Sequence, residues 1–210
     1  MLPRGSSDLG RLSIERQAYL LTRLQGVGFE QIADHNLDSA EPYLILPKRV
    51  CPTLAQWMLD WSQLPPRIQL FELAAAIMQT VAQLHSLGYV HQQLTSKHVL
   101  VSPTSNGFDP KIVGLSRCVP VGERATEADE EANEEACTSM DIRMAMPLLA
   151  DLLGPSFVAT PVASAMNAPN PADRPSARQV ADLFLDLVTQ AQGLPATFAG
   201  SITADNRRAA

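Results

Sequence analysis

The stretch Leu84–Arg117, LHSLGYVHQQLTSKHVLVSPTSNGFDPKIVGLSR, decides how the rest of the chain is read. It opens on the end of an amphipathic helix, stops at Gly88, crosses a short loop holding His91 and His98, and continues as two apolar runs joined through Asn106-Gly107. A glycine just past a helical pattern supplies the left-handed residue that ends it. Asn-Gly between two strand-like runs is a strong short-range signal for a hairpin. The order of elements is therefore helix, loop, strand, turn, strand. Immediately upstream, Leu70, Leu73, Ala74, Ile77, Val81 and Leu84 recur at spacings of three and four, so residues 68–87 read as a helix broad enough in its apolar face to belong to a core.

Composition bounds the rest. With 210 residues, 46% hydrophobic and 18% charged, the chain can bury one sizeable core but is short for two. The net charge of -6 and the absence of a Lys/Arg cluster argue against nucleic acid or an anionic membrane as partner. Cys51, Cys118 and Cys137 are odd in number and widely spaced, unlike a secreted disulfide scaffold or a zinc site. No apolar run suits a bilayer or a signal peptide, so a cytoplasmic location is the simplest expectation.

Outward from the core, residues 1–11 read as a flexible lead-in and 191–210 as a flexible tail. Ile14, Ala18, Leu21 and Leu24 predict a helix from Leu12 to about Gln25-Gly26, followed by strand candidates Phe29–Ala33 and Pro42–Leu46 around a turn at His35–Ser39. Thr53 caps a short helix carrying Leu54, Trp57, Met58 and Trp61, which Pro65-Pro66 ends. The charge density of Ala125–Ala136 predicts an exposed segment. Met140–Leu153 is helical in period, with Pro147 kinking it or marking a first turn. A Pro-rich connector at 167–175 leads to a last amphipathic helix, Ser176–Gln190.

The central stretch resembles the catalytic and metal loops of protein kinases, whose signatures are H-R-D-L-x-x-x-N and D-F-G. His91-Gln92-Gln93-Leu94-Thr95-Ser96-Lys97-His98 is similar to the first, and Lys111-Ile112-Val113-Gly114-Leu115-Ser116 to K-I-x-D-F-G. Glu15 falls at the place of the small-lobe helix's ion-pairing glutamate. Asp141-Ile142-Arg143 resembles the D-V-Y/W opening the helix after the activation segment. Pro171–Ser176 resembles the D-P-x-x-R-P-[ST] that closes the large lobe, with Arg174 as its arginine. The resemblance covers about Leu12–Leu187. It implies an α+β, protein-kinase-like fold over 12–190, with a truncated small lobe at 12–46 and a mostly helical large lobe at 53–190. It also implies that Asp141 is buried, accepting backbone hydrogen bonds from the catalytic loop, that His91 packs on the metal-loop backbone, and that Arg174 has a glutamate partner, for which Glu131, Glu134 and Glu135 are candidates.

The departures carry the functional expectation. In kinases a catalytic-loop Asp handles the acceptor proton, an Asn and the D-F-G Asp hold magnesium, and a lysine positions the phosphates. Gln93, His98 and Gly114 stand at the first three places, and no Gly-rich loop or V-A-I-K lysine precedes the Glu15 helix. Gln is no carboxylate base, Gly offers magnesium no side chain, and imidazole suits so hard a cation poorly. No catalytic, cofactor-binding or metal set is intact, and no cofactor is expected. The resemblance thus implies a pseudokinase, a binding, scaffolding or regulatory module for a protein partner. One alternative is an ATP- and magnesium-dependent serine/threonine kinase with atypical residues. Another is a helical structural protein. His85, His91 and His98 could be imagined as metal ligands, but a packed histidine with exposed neighbours is the commoner arrangement. Packing is also the commoner role for Trp57 and Trp61, and a solvated surface for Lys97.

Overall fold

A computed structural model describes residues 6–24, 28–48, 50–61, 64–105, 107–123 and 137–193. In chain order these form α1 (Ser6–Leu24), β1 (Asp34–Asn36), β2 (Tyr43–Ile45), α2 (Leu54–Leu59), α3 (Arg67–Ser86), β3 (Tyr89–Val90), β4 (Val99–Thr104), β5 (Gly107–Ile112), β6 (Val119–Pro120), α4 (Thr138–Leu153), α5 (Pro161–Met166) and α6 (Ala177–Gly193). Helices dominate. The strands form three antiparallel pairs, β1 with β2, β3 with β6, and β4 with β5.

Helix α3 is the axis of the core. Leu70, Leu73, Ile77, Met78, Val81 and Leu84 are all buried, and the helix packs against α6, α4 and β5. At about 1.5 to 3 kcal/mol for each large side chain withdrawn from water, this face contributes on the order of 10 kcal/mol before chain entropy is charged against it. The helix ends where expected: the Gly88 N–H donates to His85 O at 2.9 Å, and Gly88 adopts φ +77°. Across the core lies the β4–β5 hairpin. Its buried positions alternate, placing Val99 opposite Ile112 and Val101 opposite Pro110 on one face. Both outer edges are partly sealed. Val101 N–H donates to Pro52 O at 3.0 Å on one side, and Ile112 N–H to Gly28 O at 2.8 Å on the other.

Several boundaries differ from the sequence expectations. Helix α1 begins at Ser6, inside the expected lead-in, since a nucleated helix extends at the gain of a hydrogen bond per residue. The expected strand at 29–33 is a single bridge, Phe29 to Ile112, and pairing with β2 runs instead over Asp34–Asn36. All three β1 residues are exposed, so no apolar alternation marks them. Asn36 ends the strand through its own side chain, whose Oδ1 accepts from the N–H groups of Asp38 and Ser39 at 3.1 and 3.2 Å. Helix α2 stops at Leu59, short of Trp61, while its Thr53–Gln56 capping box is formed in full. Pro147 sits in mid-helix in α4, on the exposed face it shares with Arg143. Helix α6 runs to Gly193, past the expected end at Gln190. The acidic run Glu127–Glu135 and most of the expected tail lie outside the described residues.

Gly28 is the tightest backbone approach to α3. It has φ +71°, and an added Cβ would run into the Thr80 hydroxyl and lie 2.6 Å from the Thr80 methyl. Gly88 shares the left-handed conformation with nothing within 4 Å. Gly88→Ala should therefore cost only the backbone strain, about 1 to 2 kcal/mol. Gly28→Ala should cost that plus an overpacking penalty of about 1 to 3 kcal/mol. Urea denaturation of the two variants should show the difference, and Thr80→Ala should restore part of it in the Gly28→Ala chain. Equal losses would contradict the packing described.

Candidate functional site

The loop after β3 is organised from below by Asp141, in the first turn of α4 and fully buried. One carboxylate oxygen accepts from the His91 N–H at 2.7 Å and lies 2.9 Å from His85 Nε2; the other accepts from the Gln92 N–H at 2.9 Å. A helix start is a favourable place for negative charge. Two successive amides converge on one carboxylate here, and Gln92 takes φ +64°, the only positive φ of a non-glycine residue among those described. Side chains rarely hold that conformation without support, and the carboxylate is that support.

His91 is buried, and its two ring nitrogens have different partners. Nδ1 accepts from the Gln93 N–H at 3.3 Å, so Nε2 carries the proton and donates to Val113 O at 3.0 Å. Burial pushes its pKa below the usual 6.5, outweighing the Val113 carbonyl and the Asp141 charge, which act the other way. The neutral ring thereby joins the loop to the residues after β5. A second tie runs from the Val113 N–H to His98 O at 2.9 Å.

His98 closes the cluster. Its Nδ1 lies 3.0 Å from Thr95 Oγ1, and its ring centroid is 5.5 Å from that of His91. The ring edge also covers Gly114, which has φ +85°; a Cβ there would lie 2.9 Å from His98 Cδ2. Position 114 thus lacks both the conformation and the space for a side chain while His98 stands where it does.

The fold therefore brings His91, Gln93, His98, Gly114 and Asp141 to one place. Glu15 is elsewhere, paired with Arg11 of its own helix at 2.8 Å. Helix α1 reaches the post-β5 segment through other residues: the Ser13 hydroxyl donates to Ser116 O at 3.0 Å and the Arg16 guanidinium to Cys118 O at 2.8 Å. Arg174 spends its guanidinium on carbonyls, those of Ala168 at 2.9 Å, Ser139 at 3.2 Å and Pro169 at 3.4 Å. Its candidate partners Glu131, Glu134 and Glu135 lie outside the described residues. Sequence reasoning missed His85 as a donor to Asp141 and the strained Gln92. The position of His85 in the last turn before Gly88 was the one available hint of the first.

Other reactive groups are accounted for by packing. Among the described residues, no three His, Cys, Asp or Glu side chains are arranged to hold a metal ion. Cys118 is fully buried, and burial pushes its thiol far above the range of a reactive cysteine. Trp57 meets Trp61 edge-on at 4.9 Å and Phe108 at 4.6 Å. No helix among the described residues is long and apolar enough to cross a membrane.

The sequence model of the lipopolysaccharide kinase (Kdo/WaaP) family matches residues 46–134, which include His91, Gln93, His98 and Gly114. This match, over less than half of the chain, supports a protein-kinase-like domain. Asp141, Arg174 and Glu15 lie outside the matched stretch. No curated protein matches the chain.

Asp141→Ala would orphan two loop amides and His85, at roughly 1 to 3 kcal/mol for each buried donor. Gln93, whose side chain has no hydrogen-bond partner among the described residues, should change stability by about 0.5 kcal/mol or less when cut to Ala. Denaturant midpoints of the two variants should separate widely, and coincidence would contradict the role given to Asp141. His91 makes a second prediction. With its folded pKa depressed, the unfolded chain binds more protons at acid pH, so the stability due to neutral His91 is complete above about pH 6.5 and falls as pH drops through 6.5 toward the folded value. The melting temperature should therefore fall more between pH 7.5 and 5.5 for the parent than for His91→Gln; parallel profiles would refute it.

Proposed function

We propose that this protein is a catalytically inactive kinase-like domain, a pseudokinase, working in the cytoplasm as a binding or regulatory module for a protein partner. Residues 12–46 take the place of part of its small lobe and 53–190 that of its large lobe. The observation that carries the reading is the His98 ring over Gly114. Where a kinase needs a carboxylate for magnesium, this chain has a left-handed glycine with an imidazole edge in the space a side chain would need. Phosphoryl transfer is positioning and charge stabilisation around the metal-bound phosphates. Gln93 offers no carboxylate, and the imidazole of His98, with Thr95 at its Nδ1, is a poor match to magnesium's demand for oxygen ligands. Apart from the Thr95–His98 contact, the hydrogen bonds that shape the loop run to Asp141, His91 and main-chain groups. The frame therefore persists without the chemistry, and a fold kept this way supports surfaces for partners.

A second reading is favoured by the family match itself. A family described as lipopolysaccharide kinase supports phosphoryl transfer, to a lipopolysaccharide or to serine and threonine side chains, by an atypical residue set. The two readings separate on nucleotide. A ligand at about 100 times its dissociation constant stabilises a fold by about 2.7 kcal/mol. Millimolar ATP with magnesium should leave the melting temperature unchanged, in the parent and in a Gly114→Asp variant. Asp at 114 should instead lower it, through strain and the contact with His98. A magnesium-dependent rise in the parent, with phosphate transferred to any acceptor, would overturn the inactive reading.

A further inference from the structure

Away from the loop, the start of α3, the end of α4, the turn at 155–159, α5 and α6 enclose a cavity of about 280 Å³. Its wall is aromatic: Phe184 lies 6.2 Å from Phe71 and 6.0 Å from Phe157, centroid to centroid. The mouth is apolar too, since Leu183 and Leu187 line it while remaining 41% and 36% exposed. The one hydroxyl in the lining, that of Thr160, is already used, donating to Phe157 O at 2.7 Å and accepting from the Ala163 N–H at 3.2 Å. Among the described residues the only charge in the lining is Arg67. It is exposed at the rim, its guanidinium 5.4 Å from the Phe71 ring centroid, and no carboxylate among the described residues lies within ion-pair reach of it.

An apolar cavity with a single unpaired cation at its mouth is complementary to a molecule with an apolar tail and one anionic end. We propose that it binds a single-chain anionic amphiphile of the fatty-carboxylate class. The tail lies among Phe71, Phe157 and Phe184, and the carboxylate meets Arg67. At roughly 30 Å³ for each water-sized unit, the cavity admits a chain on the order of ten heavy atoms, too few for the row of side chains a docking helix would insert. Arg67 orients the ligand because its planar fork suits a carboxylate. The tail supplies the affinity, each buried methylene being worth about fourfold. This site is independent of the catalytic reading of the loop.

The test is a titration of the full chain with saturated fatty carboxylates of six to sixteen carbons, below their micelle concentrations, read by calorimetry and melting temperature. Saturable binding should strengthen several-fold per added methylene up to about ten carbons and then level off, with the melting temperature rising. Arg67→Gln should weaken decanoate by about fivefold and leave decanol unchanged. Leu183→Trp and Leu187→Trp, checked for parent-like melting without ligand, should each abolish binding of both by filling the mouth. Absence of saturable decanoate binding would overturn the proposal, as would binding that survives both tryptophan variants. A dimer in sedimentation that Leu183→Trp dissociates, with no decanoate bound by the parent, would show that the apolar mouth is covered by a second copy instead.

Discussion

Everything at the candidate site hangs from one buried carboxylate. Asp141 takes two consecutive loop amides and a nitrogen of His85 in the last turn of α3, fixing where the loop leaves β3 and how it turns. A buried carboxylate is costly to desolvate and is tolerated only when its oxygens are satisfied. The loop and the start of α4 therefore hold each other: the carboxylate needs the donors, and the strained backbone at Gln92 needs the carboxylate.

This arrangement separates shape from chemistry. The bonds that define the loop use the backbone of His91, Gln92, Gln93 and Val113 and the side chains of His85, His91 and Asp141. None uses the side chain of Gln93 or any side chain at position 114. The Gln93 side chain can therefore change without loss of the frame, whereas at position 114 the His98 ring rests on a left-handed glycine and leaves no room for a side chain. The shape of the loop is thus set by main-chain groups and Asp141, independently of any side chain at 93 or 114.

What the sequence made legible follows the physics of each element. Helix α3 and the β4–β5 hairpin were readable because a core face imposes a period, and Asp141 because the order of motifs resembles a known frame. Strand β1 was not, since all three of its residues face solvent and pairing rather than burial defines it. The start of α1 escaped for the related reason that helix extension needs no apolar signal. Placing Glu15 at the position of the small-lobe helix's ion-pairing glutamate rested on the resemblance alone, and its partner in the structure is Arg11. The His98–Gly114 contact and the cavity beside Arg67 depend on residues far apart in sequence, for which no local pattern exists.

The proposed inactive domain requires a rigid frame that does not answer to nucleotide. Amide hydrogen exchange of His91 and Gln92, with and without magnesium and ATP, tests it most directly. Bonded to a buried carboxylate, both amides should exchange only through global or near-global opening, at rates ATP leaves unchanged. Exchange as fast as an open loop would show that Asp141 does not hold the frame. Slowing by magnesium and ATP would show that the site still binds its nucleotide.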